Sequence, residues 1–256
     1  MYIKIAGLML LVTTGLVPVH LGAQELAEAE GDLEEVIVTA EYRPVSVLEL
    51  PTSVTVFNEQ TIERRGAVHL EQLLNLAPNV NLSSGASRGR FVLIRGIGER
   101  SQFVEPINPS VGLIIDGMDF TGIGGAASTL DMQQVEVLRG PQGTLFGANA
   151  LAGLINMVSN GPDEEMDGYA SLTVGNYSRL TATAALGGPL SQNTGYRLAV
   201  QGNQSDGYID NIFLDRNTND IDEFTARGKF AWQVNDDFTL DFTLFYTDVD
   251  LSLIHI

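Results

Sequence analysis

Residues 131–159, DMQQVEVLRGPQGTLFGANALAGLINMVS, hold two short apolar runs separated by a linker containing Gly140, Pro141, Gly143, Gly147 and Gly153. Residues 135–138 and 154–158 are rich enough in Val, Leu and Ile to be strands buried on both faces. Glycine tolerates positive φ and close backbone approach, so the linker is predicted to be a series of tight turns rather than a helix. A phosphate-cradling loop is the first functional reading to test. It fails, because no Lys followed by Ser or Thr closes the glycine run and no G-x-G-x-x-G is present.

VEVLRGPQGTLFG followed by N-A-x-x-G-x-I-N-x-V resembles the signature that closes the plug domain of TonB-dependent outer-membrane receptors. It departs from the family pattern at Ala148 and Ala152, both small-for-small changes. The segments FVLIRGIG and VGLIIDGMDF resemble the plug as well, so the likeness extends over residues 34–159. The fold it implies is an α+β plug domain followed by the first strands of a transmembrane antiparallel β-barrel.

Composition narrows the functional classes. A formal charge of −18 argues against a basic surface for nucleic acid. With no Cys, neither a disulfide framework nor a thiolate metal site is possible, and His20, His69 and His255 are too scattered to suggest a metal or catalytic site. No cofactor and no enzymatic activity are expected.

The N-terminus places Lys4 ahead of an apolar run that ends at Leu21-Gly22-Ala23, the layout of a signal peptide over residues 1–23. Residues 24–50 then read as a flexible lead. Within that lead, Glu34, Glu35, Val36, Ile37, Val38, Thr39 and Ala40 favour an extended backbone. The alternative reading of this segment is an ordinary first strand of the plug. In the family, the corresponding pattern is the TonB box, which the periplasmic end of TonB adds to its own sheet as an extra strand.

Residues 51–161 follow the pattern of a small α/β domain. Ser53 to Phe57 alternates as a strand, Asn58 is an N-cap for a helix ending at Gly66, and Leu70, Leu73 and Leu74 share the buried face of a second helix. His69 is given a solvated or capping role. Arg95 and Arg139 each follow an apolar strand, where an unpaired guanidinium would be costly, so a carboxylate partner is expected. The resemblance implies a latch to glutamates on the barrel wall; a local pair with Glu136 or Asp116 is the alternative. The polar loops between plug strands match the family's apical loops. They supply three substrate-contact candidates, Arg88, Gln102 and Phe120.

From residue 162 the pattern alternates with period two. Phe224, Ala226, Gly228, Phe230 and Trp232 oppose Thr225, Arg227 and Lys229, and Phe238, Leu240, Phe242, Leu244 and Tyr246 oppose Thr239, Asp241 and Thr243. Strands of this kind, apolar outward and polar inward, suit about five barrel strands over residues 162–256, with residues 203–221 a long solvated loop. So few strands cannot close around a plug, so the chain is expected to be the N-terminal portion of a longer receptor. The resemblance implies uptake of a scarce nutrient such as an iron chelate, vitamin or glycan. Its partners would be TonB with its inner-membrane energising complex, an extracellular small-molecule ligand and outer-membrane lipid. The rival readings are a non-transporting binding or adhesion protein and an inactive receptor fragment.

Overall fold

The computed structural model describes residues 36–39, 44–83, 91–99, 109–123, 127–212 and 215–251. The predicted leader and Glu34, Glu35, Ala40, Arg88 and Gln102 lie outside these residues. The first part of the chain forms β1 (Ile37–Val38), β2 (Val45–Ser46), β3 (Ser53–Asn58), α1 (Glu59–Arg65), α2 (Glu71–Leu74), β4 (Val80–Ser83), β5 (Phe91–Ile94), β6 (Val111–Ile115), β7 (Met118–Asp119), β8 (Met132–Arg139), α3 (Gly143–Phe146) and β9 (Gly153–Ser159). There follow β10 (Asp167–Val174), β11 (Leu180–Ser191), β12 (Thr194–Ser205), β13 (Ile209–Asn211), β14 (Arg216–Thr218), β15 (Ile221–Asn235) and β16 (Phe238–Leu251).

The plug is built on a sheet of order β3-β8-β9-β6-β7, in which β6 and β9 run parallel and the other pairs antiparallel. Its centre is the pair of apolar runs singled out from the sequence, and residues 135–138 are buried throughout. The strand period of two divides them between two cores. Val135, Val137, Ile155 and Met157 pack with α1, α2 and the β4–β5 hairpin, whereas Leu138 and Leu154 meet Val38, Ile114 and Ala150 on the opposite side.

Local chemistry sets the elements around this sheet. The Thr61 amide donates to Asn58 Oδ1 at 3.0 Å to start α1, and Gly66 ends it in the left-handed conformation at φ 59°. Asp116 and Gly117 both take positive φ, the two-residue turn that joins β6 to β7. The linker differs from its prediction. Phe146 and Leu145 donate their amides to Gln142 O, closing the single turn α3, and a 3-10 turn spans Gly147–Asn149. The positive φ of Gly140 and Gly147 brackets this helical turn instead of replacing it. At Gly153, a Cβ would stand 2.4 Å from the Leu138 carbonyl oxygen and 2.5 Å from Ile94 Cδ1, so the approach of β8 to β9 requires glycine here. His69 is also corrected: it is buried, its Nδ1 accepting the Glu71 amide at 3.3 Å. The capping half of its expected role survives and the solvated half does not, because α2 lays its first turn against the core.

The second sheet has the order β10-β11-β12-β15-β16 and is antiparallel throughout. The two faces differ as the alternation requires. Leu198 is 57% exposed while its neighbour Arg197 is 4% exposed, and Thr181, Ala199, Gln201, Asn203, Thr225 and Arg227 are buried on the same side as Arg197. Leu172, Val174, Leu198, Phe224, Phe242, Leu244 and Tyr246 form the exposed apolar face. The predicted loop over residues 203–221 is shorter than expected, because β12 continues to Ser205 and the small β13–β14 hairpin occupies part of the remainder.

Candidate functional site: the docked handle and the plug–wall seam

Val36, Ile37, Val38 and Thr39 lie against the plug. Ile37 and Val38 pair with Ser46 and Val45, and Val47 donates its amide to Val36 O at 2.9 Å. The Val38 side chain is fully buried among Leu138, Ala150 and Leu154. The next residue meets Glu136, a buried carboxylate on β8. Glu136 Oε1 accepts the Thr39 amide at 2.7 Å and the Thr39 hydroxyl at 3.0 Å. Gln134 Nε2 donates to the same oxygen at 2.6 Å and to Ile37 O at 3.1 Å, while Asn156 Nδ2 donates to Glu136 Oε2 at 3.0 Å. Several donors converge on one buried carboxylate, which satisfies the rule that buried charge must be hydrogen-bonded.

A seam of ion pairs joins the plug to the second sheet. The basic residues stand on the wall strands and the acids on the plug. Arg197 on β12 grips Asp131 through Nε and Nη2, each at 2.7 Å, and reaches Asp163 through Nη1 at 2.9 Å. Lys229 on β15 donates to Asp116 Oδ1 at 3.0 Å and Ser159 O at 2.9 Å. Arg227 donates to Leu130 O at 2.6 Å and comes within 3.9 Å of Asp116. Sequence reasoning placed Arg227 and Lys229 on the polar face but did not single out these wall cations or Asp131 as site residues. The available signal was cations recurring on the polar face of alternating strands.

The predicted latch arginines behave differently. Arg139 donates to the carbonyl oxygens of Pro78 at 3.0 Å and Val54 at 3.3 Å, and among the described residues it meets no carboxylate. Of the two local partners considered for these arginines, Glu136 is taken by Thr39, Gln134 and Asn156, and Asp116 by Ser159 and Lys229. Arg95 is exposed at a positive-φ turn, where its amide donates to Asn79 O. Phe120 packs edge-to-face on Phe245 of the wall, with ring centroids 6.1 Å apart, and the Arg227 guanidinium lies 5.5 Å from the centre of the Phe245 ring. Beside it, burial pushes Asp119 upward, but hydrogen bonds from Thr121 and Asn149 outweigh that and hold its carboxyl below the usual range.

An α+β domain fastened by its acids to the wet face of a sheet whose other face is apolar defines a plugged outer-membrane barrel. The model of the TonB-dependent Receptor Plug Domain matches residues 46–154. The pesticin receptor of Yersinia enterocolitica is 30% identical over 71% of this chain, and the ferrioxamine B receptor of Salmonella typhimurium is 24% identical over 76%. Among solved structures, the ferric yersiniabactin uptake receptor FyuA of Yersinia pestis superposes with a TM-score of 0.68 at 25% identity, covering 77% of this chain and 31% of FyuA. The pyoverdine receptor FpvA of Pseudomonas aeruginosa gives 0.69 at 20% identity, covering 83% and 30%. The chain spans 26% and 27% of the length of the two curated relatives. It belongs to the TonB-dependent outer-membrane receptors and comprises their plug with the first strands of the barrel. Its place is the outer membrane, and its relatives are receptors rather than enzymes.

Proposed function

We propose that the full receptor takes up a scarce nutrient, an iron chelate, vitamin or glycan, across the outer membrane, and that Val36, Ile37, Val38 and Thr39 with the flanking Glu34, Glu35 and Ala40 are the segment TonB grips. One observation carries the reading. Ile37 and Val38 are extended and already pair with β2 through the main chain, the same chemistry a partner strand would use. On this reading residues 24–50 are the flexible lead with residues 34–40 as its handle, 51–161 the plug and 162 onward the first part of the wall. Ligand would meet the apical loops, with Arg88 and Gln102 as contacts; Phe120, turned to the wall, would relay loop position to the seam. The plug arginines Arg95 and Arg139 would reach wall glutamates on strands beyond this chain.

The test uses the full-length receptor in its outer membrane with a panel of ferric siderophores, cobalamin and oligosaccharides. One class should accumulate in a protonophore-sensitive manner, and deletion of residues 34–40 should abolish accumulation while surface binding persists. Accumulation that survives the deletion would refute coupling through this segment.

A further inference from the structure

We infer that Glu136 is a positioning residue that holds the TonB-binding handle closed on the plug, so that its release sets when TonB can grip. This rests on the reading of residues 34–40 as the handle. The geometry assigns the role to Glu136 for three reasons. Its Oε1 takes both hydrogen-bond donors of Thr39, the residue at which the described part of the handle ends. The carboxylate is fully buried at the centre of β8, opposite Val56 on one side and Asn156 on the other, so the plug sheet fixes its position. Gln134, two residues away on the same strand, bridges Glu136 Oε1 to Ile37 O, which makes side-chain and main-chain contacts to the handle part of one network.

The docked handle cannot be gripped as it stands. The pairing edge of Ile37 and Val38 is occupied by β2, the Ile37 carbonyl by Gln134, the Thr39 amide by Glu136, and the Val38 side chain by the plug core. A partner strand needs main-chain groups that are free, so undocking precedes capture. The β1–β2 pairing spans only two residues on each strand, too little to hold the segment alone. The charge-assisted bonds to Glu136 are therefore the strong elements of the dock, together with Val38 burial. In Glu136→Gln the second oxygen becomes an amide. If that amide nitrogen faces Asn156 Nδ2, two donors meet; if it faces Thr39 and Gln134, the handle loses its acceptor.

The experiment places a single reporter, Val38→Cys, in the full-length receptor otherwise freed of accessible thiols, and follows its modification by a membrane-impermeant maleimide applied from the periplasmic side. Adding Glu136→Gln, or the milder Thr39→Ala at an exposed position, should raise the labelling rate by at least about tenfold, as expected when a hydrogen bond to a charged group is lost. The same variants should bind the periplasmic domain of TonB more tightly without substrate. Thr39→Ala should leave the thermal midpoint of the receptor unchanged, which separates release of the handle from general loosening of the plug. Labelling and TonB affinity that stay at the parental level in both variants would overturn the role of Glu136, even if uptake still requires residues 34–40. Labelling that rises in both variants supports the latch, even if deletion of residues 34–40 leaves uptake intact and the coupling reading falls.

Discussion

Arg197→Met isolates the strongest contact of the plug–wall seam. The substitution keeps the aliphatic stem and removes the guanidinium, leaving the Asp131 carboxylate, whose side chain is 2% exposed, without its bidentate partner. Its remaining side-chain donor among the described residues is Asn160 Nδ2 at 3.1 Å. Removing one member of a buried pair costs about 3–5 kcal/mol, and the retained Asn160 bond places this case at the lower end, about 3 kcal/mol. Asp163 and Asp167 do not change the estimate, because both are largely exposed and their attraction to Arg197 is screened. Hydrogen exchange read by mass spectrometry on the full-length receptor is the appropriate assay, since it reports local opening without requiring the barrel to unfold. Amides of peptides covering residues 128–135 should exchange roughly 100-fold faster, the factor that about 3 kcal/mol implies. Adding Asp131→Asn should restore part of the protection, because the uncompensated buried charge is then gone while an amide oxygen remains to accept from Asn160. Exchange altered by less than about threefold in Arg197→Met, or not recovered in the double variant, would refute the claim that this pair holds the plug to the wall.

Three further outcomes follow from the same geometry. Gly153→Ala should cost about 3 kcal/mol, seen as lost protection across β8 and β9, because a Cβ there meets a backbone carbonyl; Gly161→Ala, where a Cβ meets nothing within 4 Å, should change little. Leu198→Arg puts a charge on the exposed apolar face and should lower the amount of receptor assembled in the outer membrane, at a cost of about 2–4 kcal/mol if the site lies near the bilayer midplane. Asp119, with its carboxyl held below the usual range, contributes stability to the β6–β7 region that is fully present above the ordinary Asp value of 3.8 and is lost as pH falls through its lower folded-state value. Acid unfolding of Asp119→Asn, followed by the same exchange assay, should lack that component; an unchanged acid profile would count against it.

The sequence was informative wherever the determinant was local. Asn58 and Gly66 could be read as the ends of α1 because capping needs only neighbouring residues. Residues 135–138 and 154–158 were identifiable as central strands because short runs so rich in Val, Leu and Ile, each broken by a single polar residue, have few other uses. The period of two assigned the residues of β15 and β16 to their faces, and the exposures of Arg227 and Phe224 follow it. What alternation cannot supply is a partner. Asp116 was considered as a local partner for Arg95 or Arg139 and in fact receives Lys229, 113 positions away, because only the assembled sheets bring those strands together. Strand β4 was missed since its four residues are too few to carry a pattern, and it exists through pairing with β5. That Val36 to Thr39 could pair as a plug strand was one of two readings the sequence allowed, but its anchors were hidden, since Glu136 and Gln134 are each 97 positions from their bonding partners.

At one end of the antiparallel β1–β2 pair stands the rung formed by Val47 and Val36. A load applied to that end acts across the rungs in succession, Val36 with Val47 first, then Ile37 with Ser46, then Val38 with Val45. Peeling of this kind breaks one rung at a time, whereas sliding the two strands past each other would strain every rung at once. The rungs of this pair therefore give way singly under such a load, and the pair opposes it with no more than one rung at a time.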